Sequence, residues 1–124
     1  EKADYENGQK ALIEERFEDS LILFERFLEN YPDSPLSASV IIAKGNAYEG
    51  LGETKKAARA YLNSFSLYGD SPVAPEALTL LGNALANLGQ IDAGCQTLAQ
   101  VLMRFPDSDY SLEAEKMMSE LQCP

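Results

Sequence analysis

One phrase recurs at a fixed step along this chain. Tyr31-Pro32-Asp33-Ser34-Pro35 returns as Tyr68-Gly69-Asp70-Ser71-Pro72 and again as Phe105-Pro106-Asp107-Ser108-Asp109, 37 residues further on each time. Gly8, Gly45 and Gly82 keep the same step, with Ser119 as a small residue in the fourth place, and so do Gly52 and Gly89. A fixed period of this size predicts stacked supersecondary units, each too small to bury its apolar face alone.

Within a unit the apolar residues fall at helical spacing. Ile41, Ile42, Gly45 and Tyr48 predict one helix ending near Leu51-Gly52, and Ala57, Tyr61, Ser64 and Phe65 predict a second. Glycine just past a helix supplies the left-handed backbone that stops it, which accounts for Gly52 and Gly89. The Asp-Ser-Pro phrase then turns the chain into the next unit. Pro75 is expected in the first turn of a helix, where its missing N–H costs nothing.

The order of large and small residues resembles the tetratricopeptide pattern. A large residue precedes a small one at a close helix crossing, followed by an aromatic and then a small residue on the second helix. Ile41, Gly45, Tyr48, Ala57 and Tyr61 supply it in the second unit; Leu78, Gly82, Leu85, Gly94 and Leu98 supply it in the third. In the first, Gly8, Ala11, Ser20, Phe24, Phe27 and Pro32 fit, while Asp4 and Asn7 depart from the apolar preference. Since the usual unit has about 34 residues, the added length is assigned to the turn between units.

The expected fold is all-α: a right-handed superhelix of three tetratricopeptide hairpins (about 1–37, 38–74 and 75–111) and a capping helix at about 110–121, forming one domain over 1–124. Leu112, Met117, Met118 and Leu121 are expected to form the apolar face of that cap, with Glu113, Glu115 and Glu120 facing water. With 124 residues and 45% hydrophobic residues the chain has enough for one core. Its longest dense apolar cluster, Ala38 to Ala43, is too short to span a bilayer. No secretory signal is visible, and Glu1 leads almost directly into helical sequence, so a mature or excised fragment is expected.

The formal net charge is −10, from 20 acidic and 10 basic residues. That balance repels phosphate backbones and anionic membranes, which argues against nucleic acid and lipid as ligands. A basic protein partner suits it; a surface kept soluble by its charge is the other reading. Histidine is absent, which removes the commonest general base and metal ligand. The carboxylate pairs Glu14-Glu15 and Glu113-x-Glu115 lie on helices whose other faces are apolar, so they read as solvated faces. Ser34, Ser71 and Ser108 read as turn or capping residues. No catalytic residue, metal site or cofactor is expected.

Cys95 falls on the second helix of the third unit and Cys123 just beyond the cap. Reflecting Cys95 about the turn at Phe105 to Ser108 lands near Met118, about one helical turn short of Cys123. A chain curling back after Leu121 would bring the two within bonding distance, in an oxidising compartment. Two free thiols, one buried and one at a frayed end, are the alternative.

In stacks of this kind the first helix of each pair lines the concave face. The positions expected to point into it are Gln9, Asn46, Glu49, Glu76, Thr79, Asn83 and Asn87. Asn46 and Asn83 stand one period apart, and an amide can both donate to and accept from an extended peptide backbone. Solvated polar positions with no ligand are the plainer reading. Tyr5, Ile42 and Thr79 stand where a clamp for a C-terminal carboxylate would need cations, so the groove is expected to be neutral to acidic and its ligand neutral or basic.

The run Tyr31-Pro-Asp-Ser-Pro-Leu, the run Asp70-Ser-Pro-Val-Ala-Pro-Glu-Ala-Leu followed by Leu81-Gly82, and Gly94-Cys95-Gln-Thr-Leu followed by Arg104-Phe-Pro-Asp resemble the C-terminal domain of the Tol-Pal-associated periplasmic family (YbgF/CpoB type). Gly94 stands where that family usually has alanine. The resemblance implies a periplasmic adaptor that contacts a TolA-like envelope protein and a peptidoglycan synthase, coordinating wall synthesis with outer-membrane constriction during division. It further implies trimers formed through an upstream coiled coil, with the domain alone a monomer. A scaffold subunit for outer-membrane β-barrel assembly shares the Tyr-Pro-Asp-Ser-Pro phrase and is the alternative, as is an accessory domain of a cell-wall enzyme.

Overall fold

A computed structural model describes residues 1–124. Seven helices follow one another with no strand: α1 (Lys2–Ile13), α2 (Phe17–Asn30), α3 (Ser37–Gly50), α4 (Thr54–Leu67), α5 (Ala74–Asn87), α6 (Ile91–Arg104) and α7 (Asp109–Leu121). Each packs on its sequence neighbour, α1 also touches α3, and α5 also touches α7. The odd-numbered helices therefore form one row and the even-numbered helices another.

Two turns alternate along the stack, and each repeats its hydrogen bonds. Inside the hairpins, Arg16, Glu53 and Gln90 donate their backbone N–H groups to the carbonyls of Ala11, Tyr48 and Leu85 at 2.8 to 2.9 Å. This six-to-one bond closes the helix over a residue with left-handed backbone. Gly52 (φ 76°) and Gly89 (φ 86°) fill that place as expected, but in the first hairpin it falls to Glu15 (φ 60°). Between hairpins, the hydroxyls of Ser34, Ser71 and Ser108 accept from the N–H groups of Leu36, Val73 and Tyr110 at 3.0 to 3.1 Å. That shared bond is the physical content of the recurring Asp-Ser phrase. Pro75 sits in the first turn of α5.

The crossing inside each hairpin pairs a glycine with a large side chain 16 residues later: Gly8 with Phe24, Gly45 with Tyr61, Gly82 with Leu98. All three large residues are fully buried, so the missing Cβ is space that the partner ring or leucine occupies. In the third hairpin Gly94 also approaches backbone, and a Cβ there would lie 3.0 Å from the Gly82 carbonyl oxygen. The helices thus cross more tightly at this point than where Ala57 stands one period earlier.

The core is uneven. Its larger part joins Ile42, Tyr61, Leu78, Leu81, Leu98, Val101 and Ala114 across the second and third hairpins and the cap. The smaller part, Phe24, Phe27, Val40 and Ala43, lies under α1 and α2. Asp4, at odds with the repeat pattern, accepts a 2.8 Å hydrogen bond from the Tyr31 hydroxyl and so ties α1 to the end of α2. The cap packs through Tyr110, Ala114, Met117, Met118 and Leu121. Leu112, expected on that face, is instead 72% exposed, because it follows Ser111 around the helix and points away from the buried Ser111–Ala114 side.

Cys95 and Cys123 form a disulfide with their Cα atoms 5.6 Å apart. After Leu121 the chain turns through Gln122 (φ 58°), and the Cys123 N–H bonds the Met118 carbonyl at 2.9 Å. The cap helix is thereby fastened to α6 as well as packed on it.

Candidate protein-binding surface

The odd-numbered helices carry a concavity of about 130 Å³ lined by residues of α1, α3 and α5. Gln9, Asn46 and Glu76 are brought together there with Tyr5, Ser39 and Ile42. No lysine or arginine lines it. Of the expected positions, three therefore converge. Tyr5 and Ile42 were legible only as places lacking a cation; Leu12 on α1 and Ser39 and Ala43 on the mostly buried α3 carry no distinguishing signal in the sequence, being small or apolar helical residues.

The polar groups at this face are held in fixed positions. Gln9 donates from Nε2 to the Tyr5 hydroxyl at 2.9 Å. The Tyr61 hydroxyl lies 2.7 Å from both Asn46 Oδ1 and Glu49 Oε2. A phenol has one proton, so both contacts are satisfied only if it donates to Glu49 while the Asn46 amide turns its Nδ2 donor toward the phenol oxygen. Burial, followed by that bond to Glu49, drives the phenol pKa far upward, so Tyr61 is a neutral donor at every physiological pH. Asn46 and Glu49 are thus half-buried and pre-positioned from below.

One period on, Leu98 replaces Tyr61, and Asn83 has no side-chain partner to restrain it. Asn83 is half-buried and Asn87 is exposed, both on α5. Thr79, expected in the groove, is a correction: it is 1% exposed and donates its hydroxyl to the Pro75 carbonyl at 2.8 Å, so it presents nothing to a partner. A threonine on a helix side that faces neighbouring helices can satisfy its hydroxyl within its own helix.

Glu76 gives the face its charge. Partial burial raises its carboxyl pKa, the nearby Tyr110 hydroxyl opposes that shift, and Glu113 on α7 reinforces it. A cation arriving here would relieve an unfavourable carboxylate pair. The surface is suited to an extended segment carrying backbone amides and positive charge.

Residues 76–108, from α5 to the turn after α6, match the family model described as tetratricopeptide repeat. No curated protein matches the chain. With seven helices in hairpin order and that match, the fold is a tetratricopeptide-like helical-repeat stack. Repeats of this type serve as protein-interaction modules, each contacting its neighbours to build an extended binding face.

Proposed function

We propose that this chain is the protein-binding domain of a periplasmic adaptor of the Tol-Pal system. It would hold a TolA-like envelope protein and a peptidoglycan synthase near one another and so couple wall synthesis to outer-membrane constriction in division. The observation that carries the binding role is the cation-free concavity where Gln9, Asn46 and Glu76 converge from three successive hairpins. The Tol-Pal assignment rests on the phrases around Tyr31, Asp70 and Cys95, and the Cys95–Cys123 disulfide is compatible with an oxidising compartment.

In this reading the chain performs no chemistry. Its amides offer paired donors and acceptors to an extended backbone, and Glu49 and Glu76 favour a neutral or basic segment. Titration calorimetry with the purified periplasmic part of a TolA-like protein, and separately with the outer domain of a peptidoglycan synthase, tests it. Binding of at least one, weakened by Asn83→Ala, supports the reading; no binding of either would remove the Tol-Pal assignment.

A further inference from the structure

The largest cleft in the molecule lies on the opposite row of helices, between α2 and α4 with α3 as its floor. It encloses about 420 Å³. Leu28, Ile41, Tyr48 and Leu67 make its apolar lining, and Leu67 is 67% exposed. Three cations stand around it: Lys44, Lys56 and Arg59.

Those cations are out of character for the chain. It has only 10 lysines and arginines against a net charge of −10, yet three meet at one cleft. The repeat scaffold does not call for them. One period later the same places hold Leu81, Ala93 and Gln96; one period earlier they hold Asn7, Asp19 and Ile22. Nor are they consumed internally. Lys44 reaches Glu25 only at 3.9 Å, Lys56 meets the neighbouring Glu53 at 3.3 Å, and Arg59 makes no ion pair. Exposed pairs of this kind contribute little to folding. Lys56 also lies 5.8 Å above the Tyr48 ring, over the apolar lining.

The equivalent cleft in the next hairpin is closed. Phe65 takes the place of Leu28, Arg104 that of Leu67, and the Arg104 guanidinium stacks 4.9 Å over the Phe65 ring. The open, basic cleft therefore belongs to the second hairpin alone.

We infer that this cleft is a second docking site, for a short acidic segment of another protein that inserts a large apolar side chain between α2 and α4. Its carboxylates would meet Lys44, Lys56 and Arg59 at the rim. Charge decides among occupants. A second copy would set two chains of net charge −10 against each other, and a nucleic acid would meet the same overall repulsion. A short acidic segment, with only a few charges, gains the three cations while meeting less of that repulsion than a second copy or a long polyanion. The site is independent of the concave face, and it takes ligands of the opposite charge.

The experiment presents the purified chain with short peptides in which a leucine, phenylalanine or tryptophan is flanked by Asp/Glu, by Lys/Arg or by serine. Acidic-flanked peptides should bind at least about tenfold more tightly than serine-flanked ones, with an affinity that falls as salt rises. The double variant K56E/R59E, altered only at exposed side chains, should lose that binding by about tenfold or more with an unchanged circular dichroism spectrum. Its binding of a neutral or basic ligand on the concave face should persist. Equal binding of acidic and serine-flanked peptides, or full retention by K56E/R59E, overturns the site. A wild-type dimer in sedimentation that K56E/R59E abolishes also overturns it, by assigning the cleft to a second copy.

Discussion

A Cβ built on Gly45 would lie 2.8 Å from Cδ1 of Tyr61, inside the contact limit of a buried ring that has no exposed edge to retreat to. The same relation joins Gly8 to Phe24 and Gly82 to Leu98. It makes Gly45→Ala a test with a definite sign. On helix propensity alone alanine should stabilise α3 by about 0.5–1 kcal/mol. Overpacking against Tyr61 should instead destabilise the chain by about 1–3 kcal/mol. A fall in the denaturation midpoint supports the crossing described here, and a rise contradicts it.

Glu15 occupies the left-handed position that Gly52 and Gly89 fill in the other hairpins. A side chain there costs about 1–2 kcal/mol, part of which glycine gives back through its freer unfolded chain. Glu15→Gly should therefore stabilise the protein by about 0.5–1 kcal/mol in urea denaturation. No gain would mean that the turn at Glu15 is not strained.

The Cys95–Cys123 bond closes a loop spanning a sequence separation of 28. By the loop-entropy relation, losing it should cost about 3–4 kcal/mol. Because α7 is the last helix of the row, with neighbours only in α5 and α6, the cap should also become the first element to open. Amide hydrogen exchange of the C95S/C123S variant should show protection lost across Asp109 to Leu121 before it is lost in α3 or α4. Uniform loss of protection would contradict a local role for the disulfide in keeping the cap closed.

Glu76 supplies a pH test. Its pKa is raised in the folded state, chiefly by burial, so the folded chain binds this proton more readily than the unfolded one. The ionised carboxylate then opposes folding at neutral pH, and stability from this group increases as pH falls from above the folded value toward the ordinary glutamate range. Glu76→Gln should raise the melting temperature slightly at neutral pH, with the gain shrinking on acidification through that window. A gain independent of pH would assign the effect to something other than ionisation.

Much of this architecture was legible in the residues. The recurring Asp-Ser turn and the glycines at 8, 45 and 82 specify period, crossing and helix order, because each encodes a local geometry that only certain residues satisfy. The face was less legible. Helical register places Gln9, Asn46 and Glu76 on one side, and they line one concavity. Thr79 and Leu112 failed on the same reasoning, because register gives direction and not depth. Thr79 is covered in the packed stack, and Leu112 is left in the open on a terminal helix. The Tyr61 bonds to Asn46 and Glu49 link helices through a phenol that the repeat pattern requires only to be large. The basic cleft leaves a trace in sequence as three cations out of register, visible only when equivalent positions are compared one by one.

The concave face as the surface that holds a protein is open to direct test. Amide NMR of the labelled chain, titrated with the periplasmic part of a TolA-like protein, maps it directly. Resonances of Gln9, Asn46, Asn83 and Asn87 should shift on binding while those of Ile22, Arg59 and Gln96 on the even-numbered helices stay in place. Absence of binding, or shifts confined to α2, α4 and α6, would contradict it.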